Sequence, residues 1–270
     1  MPEAALRDLA RSLEHASAPP ARAVPVLPAL RPVVPGGLRP GSLVGLDGPG
    51  AASLALALVA GVSRHGGEDG AGGWCGIVGV PSFGVVAAAG MGAEPERLLL
   101  VDDPGDRWPD VVAALAEAVE LVLLSPPERP GAAAVRRLSA LARKHGCVLT
   151  LTGPYARDWP GVRLRLRLDG VAWEGVGDGH GRLRGRRARV VAEGRDAPGR
   201  GRRADLWLPA ADGTVAPAAP ARRPLEIVPP PAVKDGAPVH TRRDGAPAAG
   251  AGRGGVAGSG GGGGGGGAGG

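Results

Sequence analysis

Residues 43–60 read LVGLDGPGAASLALALVA, and the rest of the chain can be placed around them. The apolar run Leu43–Asp47 is typical of a buried strand, Gly48-Pro49-Gly50 is typical of a turn, and the following residues have the composition of a buried helix. A strand, a loop of small residues and a helix in this order form the framework of a phosphate-binding loop, whose motif is G-x-x-x-x-G-K-[ST]. The sequence therefore predicts an α/β core that begins here.

The phosphate-loop motif itself is degenerate. Gly48 occupies the first glycine position, but Ser53, Leu54 and Ala55 stand where the motif has Gly, Lys and a hydroxyl residue. In a working loop the Lys contacts the β- and γ-phosphates and the hydroxyl contacts Mg²⁺, and neither Leu nor Ala can do so. Backbone N–H groups at the start of the helix could still bind an anion weakly. From the motif alone, an ordinary strand–turn–helix unit is the better interpretation.

Strands and helices are predicted to alternate as far as residue 152. Apolar runs typical of buried strands are each followed by a helical pattern. The predicted strands are 43–47, 74–80, 97–101, 121–124 and 147–152, and the predicted helices are 51–62, 85–91, 109–120 and 131–145. Because every strand is a continuous apolar run, we expect a mostly parallel sheet with helices on both faces.

The pattern changes late in the chain. Residues 162–168 alternate strictly between Leu on one face and Arg on the other. Asp169-Gly170 predicts a hairpin turn. Further strand-like pieces are predicted at 171–174, 182–192 and 204–208. We therefore expect an antiparallel C-terminal extension with one face in water.

Composition sets the predicted domain boundaries. Residues 1–35 are predicted to form an amphipathic helix and then a Pro-rich linker from Ala18 to Pro35, residues 36–210 the core domain, and residues 211–270 a disordered tail rich in Pro, Ala and Gly. Aromatic residues are only 3% of the chain, so the core must consist of Leu, Val and Ala. A core domain of this length can bury a substantial apolar interior.

The net charge of +6 is concentrated in one segment. Residues 161–208 contain twelve Arg against six Asp or Glu, whereas the rest of the chain is balanced. This local excess favours contact with DNA phosphates or with an acidic partner, although a solvated surface explains it equally well. Only Trp173 and Trp207 are nearby, which disfavours base stacking as the main binding mode. The candidate contact residues are Arg163, Arg165, Arg167, Arg186, Arg187 and Arg189.

No metal site, cofactor or catalytic centre is predicted. The five histidines share no ligand spacing, and Ser125 has no neighbouring His with a supporting acid. The acidic residues Asp102, Asp103 and Asp106 are interpreted as a solvated turn rather than a Mg²⁺ site.

The protein is expected to act in the cytoplasm. Its charged, amphipathic N-terminus is unlike a signal peptide, and no apolar run reaches the ~18 residues of a membrane span. Cys75 and Cys147 lie in apolar runs, and we expect buried thiols in a reducing compartment rather than a disulfide.

Taken in order, these elements resemble those of RecA over residues 36–210. The lead-in Gly36-Gly37-Leu38 with Gly41 looks like the segment before the RecA phosphate loop, and residues 48–55 fall in register with that loop. The pieces that are similar to the last core strands of RecA are 162–165, 186–191 and 204–208. The resemblance implies a RecA-like fold.

The departures from RecA are systematic. At the end of the second strand RecA carries the Glu that positions the attacking water, and Val80 stands there in this chain. At the end of the fourth strand RecA carries the Asp that supports Mg²⁺, and Ser125 stands there. With Leu54 and Ala55, four groups that ATP hydrolysis needs are missing. No long insertions are present where the DNA-contacting loops of RecA would lie. The resemblance therefore implies a protein that has given up nucleotide hydrolysis and is not an enzyme.

A degenerate RecA-like chain of this kind resembles the ImuA family of bacterial mutagenic repair, in its actinobacterial ImuA-prime form. That resemblance implies a non-catalytic accessory factor of the DNA damage (SOS) response that supports error-prone translesion synthesis. The implied partners are an ImuB-like Y-family scaffold protein and an error-prone DNA polymerase, with contact to the DNA backbone and association with the nucleoid after damage. Two alternatives stay open. One is a RecA-like inhibitor or regulator of another machine, such as a SulA-type division inhibitor. The other is an ATP-dependent DNA recombinase, which the missing Lys disfavours.

Overall fold

One nine-stranded sheet organises the part of the chain that the computed structural model describes, residues 22–67, 69–177 and 180–219. Its strands are β1 Leu43–Asp47, β2 Cys75–Val78, β3 Leu98–Val101, β4 Leu121–Leu124, β5 Val148–Leu151, β6 Leu164–Gly177, β7 His180–Gly194, β8 Ala197–Trp207 and β9 Ala216–Pro217. The α-helices are α1 Ala51–His65, α2 Val85–Gly90, α3 Trp108–Ala118 and α4 Ala132–His145. Up to β5, the order and type of these elements agree with the prediction.

The strand order is β3-β2-β4-β5-β1-β6-β7-β8-β9. The six strands from β3 to β6 are parallel, and β6 to β9 are antiparallel. The predicted fold class, a mostly parallel α/β sheet with an antiparallel C-terminal extension, is confirmed. Because the carboxyl ends of parallel strands meet at one edge of a sheet, the segments that follow β1, β2, β4 and β5 lie together there. This edge is called the carboxyl edge below.

Each face of the sheet has its own apolar core. The first core contains α1, α2 and the inward side chains of β6, β7 and β8, and the second core contains α3 and α4. The buried side chains are mostly Leu, Val and Ala, as the composition predicted. Two large rings complete the second core: the centroids of Trp108 and Trp159 lie 6.5 Å apart in an edge-to-face contact.

The helix α4 shows why helices form where the pattern predicts them. Val135, Leu138 and Ala142 recur on one helical face and are buried. The basic residues 143–145 occupy the last turn, where the helix dipole favours positive charge. Gly146 ends the helix in the left-handed conformation, with a φ of 74°.

The segment 22–35 is not a linker. Val24, Leu30 and Val33 are buried in the first core. The backbone of Val24 exchanges two hydrogen bonds with that of Leu38, at 2.8 and 2.7 Å. The Pro-rich composition was therefore misread over this stretch: proline restricts the chain to extended conformations, and the Val and Leu residues between the prolines pack.

The hairpin predicted at Asp169-Gly170 is a bulge. The strand β6 runs on through it, and only the register against β7 shifts at this point. Gly170 has a φ of 85°, a conformation that a glycine provides in a bulge as readily as in a turn. The strands reverse after Gly177 instead. The first residues of β6 pair in parallel with β1, so this strand joins the two parts of the sheet.

The core also continues past the boundary predicted at residue 210. Ala216 pairs with Trp207, and the Ala218 N–H donates a hydrogen bond of 2.8 Å to the carbonyl of Asp205. Val215 packs against the first core. Residues 211–219 therefore belong to the core domain. The predictions of an N-terminal helix and of a disordered tail concern residues outside the described ranges.

Candidate functional site

The loop after β1 is a tight turn rather than an open cradle. It comprises only Gly48, Pro49 and Gly50, since α1 begins at Ala51. The Ala51 N–H donates to the carbonyl of Gly48 at 3.2 Å, and both glycines have positive φ, 74° and 87°. Pro49 has no N–H to offer to an anion. Residues 53–55 consequently lie inside the first turns of α1.

The residues that replace the Lys and the hydroxyl of the motif lie in the first core. Leu54 is 0% exposed and Ala55 is 3% exposed. Leu168 of β6 covers the loop from the other side, because a Cβ added to Gly50 would overlap the Leu168 Cδ1. The loop thus offers a phosphate no counter-charge, and these residues do not fit a Mg²⁺-nucleotide.

A pocket of about 330 Å³ opens at the carboxyl edge. It is bounded by α1, by the loop after β2 and by the ends of β4 and β5. None of its lining residues is charged; the lining includes the apolar residues Ala52, Ala55, Leu56, Val80, Phe83 and Leu123 and the hydroxyl residues Ser82, Ser125 and Thr152. The structure therefore brings together Ala55, Val80 and Ser125, three of the positions at which the chain departs from RecA. It does not bring Ser53 or Leu54 to the pocket. We call this site the carboxyl-edge pocket.

Two pocket residues, Phe83 and Thr152, were not predicted from the sequence because they belong to no motif. The available signal was their position: each follows a buried strand, β2 or β5, and the carboxyl ends of these strands meet at one edge.

Four of the predicted contact arginines are held in ion pairs within the chain. The shortest N–O distances are 2.7 Å for Arg163–Asp196, 3.2 Å for Arg165–Asp47, 3.3 Å for Arg167–Glu193 and 2.9 Å for Arg189–Asp205. Hydrogen bonds to the partner carboxylates raise the pKa of Arg163 and of Arg189. These side chains remain charged, but each already faces a carboxylate.

The other two predicted contact arginines have different surroundings. The guanidinium of Arg186 lies 5.4 Å from the ring centroid of Trp173, and its Nε donates to the carbonyl of Leu208 at 2.7 Å. Burial lowers the pKa of Arg186. The Nε of Arg187 is buried and has no hydrogen-bond partner in the described part of the chain. The six arginines therefore do not form one uniform row.

Two arginines that were not among the predicted contacts are more accessible. Arg182 and Arg184 lie on β7 near its start, where it pairs with the far half of β6. Both are exposed, and neither forms an ion pair with another described residue. The sequence shows how many arginines a segment has but not which of them are neutralised.

Within the described ranges, no cluster of three or more His, Cys, Asp or Glu residues is arranged to hold a metal ion. Cys75 and Cys147 are free, buried thiols, as predicted. Burial raises the pKa of Cys147 to about 12 and that of Cys75 well above its usual range, so both stay protonated at neutral pH. None of the described helices has the length and apolar character that crossing a bilayer requires.

Residues 32–161, which contain β1 to β5, α1 to α4 and the carboxyl-edge pocket, match the family model of the MT3502 N-terminal domain. Over 201 residues the chain is 36% identical to the uncharacterized protein Rv3395c of Mycobacterium tuberculosis (strain ATCC 25618 / H37Rv), an alignment that covers 72% of this chain and 91% of that protein. The chain belongs to the MT3502 family. The short loop after β1 and the uncharged pocket both lie within the residues that match the family model.

The MT3502-family chain also has a solved structural neighbour. A crystal structure of the RadB recombinase superposes on it with a TM-score of 0.51, covering 71% of this chain and 97% of that one, at 17% identity. At this identity the likeness concerns the fold alone, and the predicted RecA-like fold is confirmed.

Proposed function

We propose that this protein is a non-catalytic RecA-like accessory factor that supports error-prone translesion synthesis after DNA damage through protein–protein contacts. One observation carries the proposal: the site that binds and hydrolyses nucleotide in a working RecA-like protein is replaced by a three-residue turn, a buried Leu54 and an uncharged pocket. A RecA-like fold that keeps its sheet but lacks this chemistry is suited to binding rather than turnover.

The proposed protein is of the ImuA type, in its actinobacterial ImuA-prime form. Its proposed partners are an ImuB-like Y-family scaffold protein and an error-prone DNA polymerase, with contact to the DNA backbone through arginines of the C-terminal extension. It acts in the cytoplasm and joins the nucleoid after damage. The basic excess of residues 161–208 supports the DNA contact, because counter-ion release from phosphates favours binding by arginine-rich surfaces.

The partner part of the proposal is tested in the native host. A tagged chain is purified before and after a DNA-damaging treatment, and the bound proteins are identified against an untagged control. We expect a Y-family-like scaffold and an error-prone polymerase to appear only after damage. Recovery of a cell-division protein in their place would favour the SulA-type alternative.

The non-catalytic part is tested with the purified protein. We expect no ATP turnover above background, with or without single-stranded DNA, because no Lys, Arg, Asp or Glu lines the carboxyl-edge pocket. A DNA-stimulated turnover that disappears when Gly50 is replaced by Trp would contradict the proposal.

A further inference from the structure

The carboxyl-edge pocket has features of a binding site that nucleotide chemistry does not explain. We propose that it binds an apolar side chain of a partner protein, presented by a peptide segment in which Arg or Lys residues flank the apolar anchor. This goes beyond the proposed function, since it names the surface and the chemistry of the partner segment. It shares one premise with the proposed function, namely that no nucleotide occupies the carboxyl edge of the sheet.

The lining of the pocket selects an apolar group. Its walls are formed by Ala55, Leu56, Val80, Phe83 and Leu123, with hydroxyl groups as the only polar side chains. An unpaired charge would be costly to bury against such walls. A volume of about 330 Å³ lies at the small end of the range for ligand pockets, which suits an anchoring side chain.

The surface beside the pocket points to a peptide chain rather than a small molecule. The pocket-lining residues Phe83 and Gly84 lead directly into α2, whose sequence VVAAAG contains no polar side chain. Val86 on this helix is 88% exposed, and Ala87 and Ala89 are exposed as well. A small molecule would fill the pocket and leave this apolar surface in water, whereas a peptide segment can cover both.

The charge next to the pocket indicates the flanking residues of the partner. The Gly79 N–H donates to the carbonyl of Val101 at 2.9 Å, so the acidic segment that begins at Asp102 lies beside the start of the pocket-lining loop. Asp102, Asp103 and Asp106 are all exposed, and none forms an ion pair with a basic residue of the described chain. Opposite charges arranged in this way steer association and fix orientation.

The probes are three synthetic peptides with blocked ends. The first is Arg-Arg-Leu-Phe-Arg-Arg, the second has Glu for every Arg, and the third has Ser for Leu and Phe. Each is titrated into the full chain carrying ¹³C-labelled Ala, Leu and Val methyl groups, and the shifts are followed by NMR at two salt concentrations. We expect the first peptide to shift the methyl groups of Ala55, Leu56 and Val80, the second to bind at least about fivefold more weakly, and the third not to shift them.

Two pairs of variants separate the pocket from general surface effects. Ala52→Phe fills the pocket from its rim, and Ala133→Phe is its control, since both alanines are exposed second residues of a helix. We expect about tenfold weaker binding in the first variant and no change in the second. Neutralising Asp102 and Asp103 with Asn should weaken binding about two- to fivefold at low salt, and the control Glu94→Gln with Glu96→Gln should not.

Three outcomes would overturn the inference. The first is no methyl shift at millimolar peptide, and the second is equal binding of the acidic and basic peptides, which would indicate a site for small apolar groups. The third is unchanged peptide binding by the Ala52→Phe variant.

In a separate titration, ATP is added to the same labelled protein in place of the peptides. ATP-induced shifts of the methyl groups of Ala51 to Ala55 would reveal a nucleotide site and so contradict the observation that carries the proposed function. If ATP causes no shifts and the peptides fail to bind, only this inference is contradicted.

Discussion

At the scale of one residue, Leu54 separates this site from a working phosphate loop. We expect Leu54→Lys to lower the free energy of unfolding by about 3–5 kcal/mol, because the ammonium group would be buried without a counter-charge. It should not restore ATP binding, since the loop keeps three residues and Leu168 still covers Gly50. Urea unfolding and equilibrium ATP binding measure the two effects.

The control for this change is Leu54→Met, which nearly conserves volume and should cost less than about 1.5 kcal/mol. A Lys variant of near-native stability that binds ATP would show that the loop can open and that Leu54 is not what prevents nucleotide binding by burial alone.

Gly61 reports on the packing of the segment that the composition had suggested to be a linker. A Cβ at this position of α1 would lie 2.6 Å from the Leu27 nitrogen and 2.8 Å from the Val26 Cα. We therefore expect Gly61→Ala to destabilise the protein by about 1–3 kcal/mol, although Ala favours helix by ~1 kcal/mol over Gly. Thermal and urea unfolding measure the change.

Gly90→Ala is the matched control, because the nearest atom to a Cβ at this other helical glycine lies at 3.8 Å. If both variants lose similarly little stability, residues 24–34 can shift to accommodate the added methyl group and contribute little to the core.

At the scale of elements, the C-terminal extension contains two kinds of arginine. Arg163, Arg165 and Arg167 face carboxylates, whereas Arg182 and Arg184 do not within the described chain. We expect Arg182→Ala with Arg184→Ala to make the slope of log K against log salt shallower by about 1.4–1.8, since each phosphate contact contributes about 0.7–0.9. The slope is measured by fluorescence anisotropy on labelled single-stranded DNA.

The triple variant with Ala at 163, 165 and 167 serves as the comparison. Leu164 and Leu166 remain to pack, so the fold should survive, and each lost, partly buried pair should cost about 1 kcal/mol. The prediction that these three residues contact DNA or a partner stays a prediction. A larger loss of slope in the triple variant than in the double one would show that the ion pairs open on binding.

The elements up to β5 could be predicted because their signal is local. A continuous apolar run or a helical spacing appears within a few residues, and burial on the sheet then follows. The errors arose where the same local pattern serves two structures. Asp-Gly suits a turn and a bulge equally, and prolines are common both in linkers and in extended segments such as the one containing Val24 and Leu30.

The candidate site could be predicted only in part, because only some of its features have a local signal in the sequence. The degenerate motif located Ala55, and the resemblance to RecA located Val80 and Ser125 from the order of strands along the chain. The partners of the arginines could not be found, because Asp47 is 118 residues away from Arg165 and Asp196 is 33 residues away from Arg163. Ion pairing of that kind is fixed by strand register, which the sequence leaves open.

At the scale of the whole molecule, the C-terminal boundary of the core determines which shortened chains fold well. We expect a chain ending at residue 219 to keep the melting temperature of the full chain, because residues 220–270 have the composition of a disordered tail. A chain ending at residue 210 loses β9 and the packing of the partly buried Val215 against the first core. Losing about 1–2 kcal/mol should lower its Tm by about 2–8 °C.

Calorimetry of the three chains at equal concentration measures this difference. A drop of several degrees in the chain ending at 219 would show that the tail packs on the core. An unchanged Tm in the chain ending at residue 210 would show that the core domain ends at residue 210, as the composition predicted.

The edge-to-face contact of Trp108 and Trp159 gives the unlabelled protein an optical signal. Both indoles are buried in the second core, and the Trp159 Nε1 donates to the Oγ of Ser139 on α4 at 3.4 Å. Two rings held rigidly 6.5 Å apart in an asymmetric surrounding should dominate the near-ultraviolet circular dichroism. That band should fade as soon as α3 and α4 loosen on the sheet, even while the far-ultraviolet spectrum still reports intact helices. The face covered by α3 and α4 can thus be monitored in the natural chain, without an added fluorophore, while a peptide binds at the carboxyl-edge pocket.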